Sequence, residues 1–319
     1  MTSRINRAIE LLQQDQAIYY TGHHTGHVLT YEEGKKDAHT WADYINVGME
    51  HGAFDLAGLE QYMRGLVDGG PTRSGHRTPT VIVEMPVNGL DEQMVRQNAW
   101  QARQILGRGV HGLLLCQAES PEAVAVFVES ARYPHHLAGV NPELPSPLER
   151  MQGARRPTKR ARAGGRLLLD IGMRGRGSEM SAAPIWGLSH EDYLERADPW
   201  PLNPKGELML GLKLESPEGI AAADELMAVP GIAFAEMGPG DLSLSLGSPK
   251  LLRDPYPPEM QEARDKVFNA CRKNGVAFLE GSNRSNIVAR LDEGVRVIGG
   301  HDEELARIGR AHQKRKMAV

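Results

Sequence analysis

A chain of 319 residues, with 40% hydrophobic and 24% charged positions, has the composition of a soluble globular protein with one sizeable core. Its net charge of -4 gives no general attraction to nucleic acid or anionic membranes, and 5% aromatic residues supply no stacking platform for single strands. The two cysteines, Cys116 in an apolar run and Cys271 in a helical stretch, lack zinc or redox spacing and read as reduced, buried thiols.

No positively charged start leads into an apolar segment, and no run nears the ~20 apolar residues of a membrane span, so a cytoplasmic location without a membrane partner is expected. Short apolar runs then alternate with amphipathic stretches. Strands are predicted at Ala17–Tyr20, Tyr44–Gly48, Thr80–Glu84, Gly112–Cys116, Leu208–Leu214, Ile232–Met237, Val276–Leu279 and Val295–Ile298. Helices are predicted at Leu56–Leu66, Gln93–Leu106, Pro121–Ser130, Pro217–Met227, Glu259–Asn274 and Arg284–Asp292. Ser120-Pro121 and Ser216-Pro217 each place a capping hydroxyl before a proline suited to a first helical turn, and Gly109 and Gly294 fall where a helix turns into the next strand. Eight strands alternating with helices predict a single (β/α)8 TIM barrel over residues 1–319.

One stretch breaks the rhythm. Residues 135–205, rich in Pro, Gly, Arg and Ser, separate a helix from the fifth strand by far more than the usual ~2–6 residues of such a connection and read as an insertion or a lid. The basic run Arg155, Arg156, Lys159, Arg160, Arg162 reads as a solvated loop rather than a nucleic-acid patch, given the chain's negative balance.

The richest stretch is GLKLESPEGIAAADELMAVPGIAFAEMGPGDLSLSLG, Gly211–Gly247. A strand ends at Glu215; after a helix and a second strand, Gly238-Pro239-Gly240 leads to Asp241. Residues just past successive barrel strands project from the same C-terminal face, so the two carboxylates are expected to converge. Hard carboxylate oxygens suit Mg²⁺, Mn²⁺ or Co²⁺ and leave positions for water and a chelating substrate. Taken alone, either acid could instead neutralise a helix N-terminus.

The surrounding pattern favours the metal. LKLESPEGI followed by VPGI and GPGDLS resembles the metal-binding signature of the HpcH/HpaI aldolase family, metal-dependent aldolases and lyases acting on 2-oxo acids. Val47-Gly48-Met49-Glu50-His51 resembles its second-strand motif, which implies that His51 is the catalytic base. Ala131-Arg132-Tyr133-Pro134 and Gly172-Met173-Arg174-Gly175-Arg176-Gly177-Ser178 resemble two further family segments, here separated by the added Pro134–Asp170. The resemblance covers roughly residues 40–315.

It implies a divalent-metal-dependent carbon-carbon lyase that cleaves or forms a hydroxy-oxo acid through a metal-bound enolate, releasing or capturing an aldehyde, with His51 moving the proton. Glu215 and Asp241 would hold the metal, Gly238, Pro239 and Gly240 would line the substrate, and Arg174 or Arg176 would grip a substrate carboxylate. Relatives form trimers or hexamers, often exchanging a C-terminal helix, for which 303–316 is the candidate segment. Upstream, His23, His24 and His27 read as polar loop residues beside the site, with a metal role the lesser alternative.

Departures from the family bear on chemistry. The arginine expected before a proline after the third strand is matched to Met85, beside Glu84, and a carboxylate partner for the histidine is matched to Gly107. Lys213, two residues before Glu215 and hence on the same strand face, is read as replacing the lost charge; a lysine of lowered pKa forming a Schiff base, or a plain ion pair with Glu84, are the alternatives. An oxo-acid decarboxylase or hydrolase on the same scaffold, or a non-catalytic divergent barrel, are the other readings.

Overall fold

The computed structural model describes residues 4–155, 157, 159–252 and 255–319. Its parallel strands are β1 (Ile18–His23), β2 (Tyr44–Gly48), β3 (Thr80–Asn88), β4 (Gly112–Cys116), β5 (Leu208–Leu214), β6 (Phe234–Met237), β7 (Ala277–Gly281) and β8 (Val297–Gly299). Each pairs with its neighbour in sequence and β8 returns to β1, so the sheet closes as the predicted (β/α)8 barrel. A two-residue strand, Pro199–Trp200, is appended to the start of β5. Among the described residues no helix is long and apolar enough to cross a membrane.

Alternation along the strands sorts side chains into two cores. Leu208, Leu210 and Leu212 of β5, with Ile45, Val47, Val81, Val83, Leu113 and Leu115, pack outward against the helices. Ile18, Tyr20, Tyr44, Ile82, Leu114, Met209 and Phe234 fill the interior. A Cβ on Gly211 would lie 2.3 Å from the Phe234 ring, so the ring occupies the space a side chain at 211 would need. The helix Arg7–Gln13, capped by Asn6, adds Ala8, Ile9 and Leu11 to this interior cluster and stoppers its N-terminal end. The same alternation carries Glu84, Lys213 and, in register with Lys213, Glu236 to the interior near the opposite mouth.

The punctuation predicted from sequence is present. Ser120 and Ser216 accept from the backbone N–H of Ala123 (3.3 Å) and Gly219 (3.1 Å), and Gly109 and Gly294 take φ of +84° and +115°. Two predicted helices are each broken once, at Asn98 and Ala222.

The described residues of the 135–205 segment do not cover the mouth as a lid would. Arg160 binds Glu129 (2.5 Å) and Glu92 (3.1 Å), pinning its first part along the outer wall. This ties down Arg160 within the basic run; Arg155, Lys159 and Arg162 are exposed, and Arg156 lies outside the described residues. Further on, the Trp186 indole donates to the Gly109 carbonyl (2.8 Å) and stacks on His111, while Arg77 donates to the Ile185 carbonyl (3.1 Å). Gly109 and Arg77 precede β4 and β3, so this part closes the N-terminal end. Its buried Ala182, Ala183, Ile185 and Trp186 explain why: such side chains require a core, not a mobile flap. Residues 303–316, the candidate for exchange between subunits, pack here on their own barrel, with Gly309 against Tyr19 and Arg315 2.8 Å from Asp43.

Candidate active site

Glu215 follows β5 directly, and Ser216 takes the capping role for the helix Pro217–Ala221, leaving the Glu215 carboxylate for other partners. Asp241 stands in the first turn of the helix Pro239–Ser245, whose N-cap is Gly238 and whose start carries no side-chain cap bond. Neither acid is therefore a helix cap. The Ser245 hydroxyl donates to the Glu215 carbonyl (2.9 Å), locking the two segments together. Gly238 is required by close approach, because a Cβ there would lie 2.3 Å from Glu215 Oε1.

The two carboxylates share Gln117 across β4: its backbone N–H donates to Glu215 Oε2 (3.2 Å) and its Nε2 to Asp241 Oδ2 (3.5 Å). From β2, His51 Nε2 lies 3.6 Å from Asp241 Oδ2 and 3.5 Å from Glu50 Oε2. Ligand atoms of Glu50, His51 and Asp241 fall within 4.8 Å of one another, as do those of Glu50, Cys116 and Glu215. Burial pushes the Cys116 thiol up, so the carboxylates and imidazole are the natural donors of this set.

Below them lies Lys213, nearly fully buried, its Nζ 3.0 Å from Glu50 Oε2, 3.4 Å from His24 Nδ1 and 3.5 Å from Glu84 Oε1. Burial favours a neutral amine, but the Cys116 sulfur and the carboxylates of Glu236, Glu84 and Glu215 raise its pKa above the ordinary lysine value. These neighbours favour the charged amine, opposite in direction to the lowered-pKa reading. Burial also opposes ionisation of Glu84, yet the hydrogen bond with His24 (2.5 Å) and the Lys213 charge hold its pKa down. Asn46 donates to the same oxygen (2.9 Å).

Five acids, Glu50, Glu84, Glu215, Glu236 and Asp241, thus crowd round one lysine and His24, whose pKa is raised chiefly by its bond to Glu84. Burial, with Glu50, Glu236 and Asp241 adding and Lys213 opposing, pushes Glu215 up to about 8. A cation joining the site would favour the ionised form of such a carboxyl. An orphaned buried oxygen, Glu84 Oε2, adds to the unbalanced acceptors. The donor set, all hard oxygen plus one imidazole, fits a divalent ion such as Mg²⁺ or Mn²⁺.

Several expectations are corrected by this geometry. Met85 faces the outer core, so the residue of β3 that reaches the site is Glu84, a negative charge where the family pattern led to an arginine. Gly107 ends a helix at the N-terminal side of the barrel, where Ser181 donates to its carbonyl (2.8 Å); no side chain there could pair with His51, whose carboxylate neighbours are Glu50 and Asp241. Arg174 is also at that end, hydrogen-bonded to the Tyr193 hydroxyl (3.1 Å) with its backbone N–H on the Arg132 carbonyl, and Arg176 is exposed in the adjoining loop. Neither arginine reaches the mouth.

The histidine cluster divides. His24 enters the site, His23 stacks on His301, and His27 binds Asp37 (3.0 Å) and Tyr62 (3.1 Å). Reading from sequence missed Glu50, Gln117 and Glu236. Alternation with Phe234 would have placed Glu236 inside the barrel; Gln117, at φ +51° past β4, carried no local signal.

Comparison with known proteins agrees with this architecture. A hydroxypyruvate/pyruvate aldolase of Paraburkholderia phytofirmans is 23% identical over 240 residues, spanning 75% of this chain and 70% of that protein. A protein of the same name from Chromohalobacter salexigens is 26% identical over 175 residues, 55% of this chain and only 51% of its own length. The crystal structure of a HpcH/HpaI aldolase/citrate lyase family protein from Burkholderia cenocepacia superposes with a TM-score of 0.63 at 21% identity, covering 96% of this chain and 97% of that one. Residues 37–293 match the family described as HpcH/HpaI aldolase/citrate lyase, and the chain belongs to that family.

Proposed function

We propose that this chain is a divalent-metal-dependent aldolase, cleaving or forming a hydroxy-oxo acid between a 2-oxo acid and an aldehyde. The observation that carries the reading is the meeting of Glu215, Asp241, Glu50 and His51 at the barrel mouth with more negative charge than Lys213 and His24 balance. Glu215 and Asp241 would hold Mg²⁺, Mn²⁺ or Co²⁺, with Gln117 orienting both carboxylates. When bound, the ion supplies Lewis-acid polarisation of the ketone of a chelating 2-oxo acid. His51, half exposed and flanked by Glu50 and Asp241, takes the proton from the substrate hydroxyl in cleavage and returns it in the reverse direction. Lys213 holds the positive charge that steadies oxygen charge developing over the site, in place of an arginine on β3. Gly238, Pro239 and Gly240 form the turn against which the substrate lies, open because a side chain at 238 would strike Glu215.

The names of the relatives support pyruvate-like or hydroxypyruvate-like acids as the nucleophile; a homo-oligomer working in the cytoplasm is part of the same proposal. The test is product analysis with a 4-hydroxy-2-oxo acid, with and without chelator. Release of pyruvate and aldehyde that stops with chelator and returns with Mn²⁺ is expected. Pyruvate release insensitive to chelator overturns the reading, and CO₂ without aldehyde assigns a decarboxylase instead.

A further inference from the structure

At the N-terminal end of the barrel, opposite Glu215, a groove of about 440 Å³ is lined by Arg103, Arg108, Arg176, Ser178 and Ser181 among others, and no carboxylate lines it among the described residues. Arg103 and Arg176 are exposed and form no ion pair among the described residues, while Arg108 leans on Glu60 at 3.2 Å. The groove meets the start of the eight-residue helix Glu179–Trp186, whose N-cap Ser178 makes no capping bond. The Met180 N–H of that turn is taken by the Gly177 carbonyl (3.3 Å), so the helix start adds its dipole rather than a free donor beside the arginines.

A second observation lies behind the wall. Arg174 is 1% exposed and has no carboxylate within ion-pair distance among the described residues; its guanidinium sits 4.2 Å from the Tyr133 ring centroid and 5.6 Å from that of Tyr193. Its Nε and Nη1 are buried without a hydrogen-bond partner, and Nη2 is shared between the Tyr193 hydroxyl (3.1 Å) and the Ser178 hydroxyl (3.4 Å), the latter lining the groove. A buried guanidinium lacking a counter-anion is costly, and two aromatic faces offset only part of that cost. Glu179, the nearest acid, is turned to the Gly177 N–H (2.6 Å).

We infer that this groove binds a phosphate group, as free phosphate or as the monoester of a small metabolite, with Arg103 and Arg176 as the gripping forks and Arg174 as the buried countercharge behind Ser178. Planar guanidinium forks match phosphate oxygens, and the volume exceeds that of the bare ion. The site is independent of the proposed lyase reaction, since its residues lie at the other end of the barrel.

The experiment is calorimetric titration of the metal-stripped full chain, in chelator at low ionic strength, with inorganic phosphate, glycerol 1-phosphate and glycerol. One saturable site for a phosphate-bearing probe and none for glycerol are expected. Tighter binding of glycerol 1-phosphate supports an esterified ligand; equal or tighter binding of phosphate supports the free anion. Arg103→Ala with Arg176→Ala, both surface changes, should weaken binding by about tenfold or more without lowering the melting temperature. Arg174→Lys, which keeps charge but loses the fork, should also weaken it. Absence of saturable binding below about 10 mM, or equal binding by the double variant, overturns the site.

Discussion

Lys213 Nζ stands 3.0 Å from Glu50 Oε2, tying the fifth barrel strand to the loop that follows the second. Both side chains are nearly buried, and the same Nζ also serves Glu84. Breaking such a pair leaves uncompensated buried charge, at a cost of about 3–5 kcal/mol. Lys213→Met should therefore lower unfolding free energy by that order in urea titration. It should also reduce turnover, whereas borohydride added during turnover should leave the mass of the wild-type chain unchanged, because a lysine held charged does not form a Schiff base.

His51 touches two carboxylates but no element of the core, and its side chain is 46% exposed. His51→Gln should lower kcat by about 10²–10⁴-fold, the usual worth of a positioned general base, with KM for the oxo acid little changed. A fall in metal affinity no larger than about 10–100-fold, as expected for losing an outer partner of Asp241, with kcat still low at saturating metal, would separate this from loss of the ion. Unchanged kcat would remove His51 from the proton transfer.

Gly238→Ala tests the packing around Glu215. The added methyl would lie 2.3 Å from Glu215 Oε1, so the carboxylate must swing away. A loss of about 10–100-fold in Mn²⁺ affinity is expected, comparable with removal of an outer partner of a metal ligand. The helix Pro239–Ser245 should remain folded, because Gly238 has φ of -75°, which alanine adopts freely.

His111 supplies a pH-dependent term in stability far from the mouth. Burial, aided slightly by His76, pushes its pKa down to about 3, and its Nδ1 accepts the Val81 N–H at 3.2 Å, which requires the neutral ring. Unfolded, it titrates near 6.5, so between these values the unfolded chain holds the extra proton. Stability is therefore complete above about pH 6.5 and is lost as pH falls toward 3, with about 2 kcal/mol gone by pH 5. Urea unfolding at pH 7 and pH 5 should show that much more loss in wild type than in His111→Asn. Equal pH dependence in the two would assign the acid sensitivity elsewhere.

The barrel was legible because its strands are continuous apolar runs buried on both sides, bounded by capping serines and left-handed glycines that act locally. Glu215 and Asp241 were legible for a related reason: each directly follows a strand or a strand-and-turn, so topology fixes which face it joins. Met85 was misread because the proline-based match overrode the period-two alternation that groups Glu84 with Ile82. Arg174 and the lid were misread because the path of a long insertion depends on where its own apolar residues, Ile185 and Trp186 above all, find a core. Gln117 and Glu50 act through tertiary neighbours, Glu215, Asp241 and Lys213, that no local pattern names.

The central claim is that Glu215 and Asp241 hold a divalent ion, and the direct measurement is Mn²⁺ titration of the chelator-stripped chain followed by electron paramagnetic resonance. The account predicts one bound Mn²⁺ per chain, lost in Glu215→Gln and in Asp241→Asn while both variants keep the wild-type circular dichroism. Unchanged stoichiometry and affinity in the Glu215→Gln, Asp241→Asn double variant would contradict it.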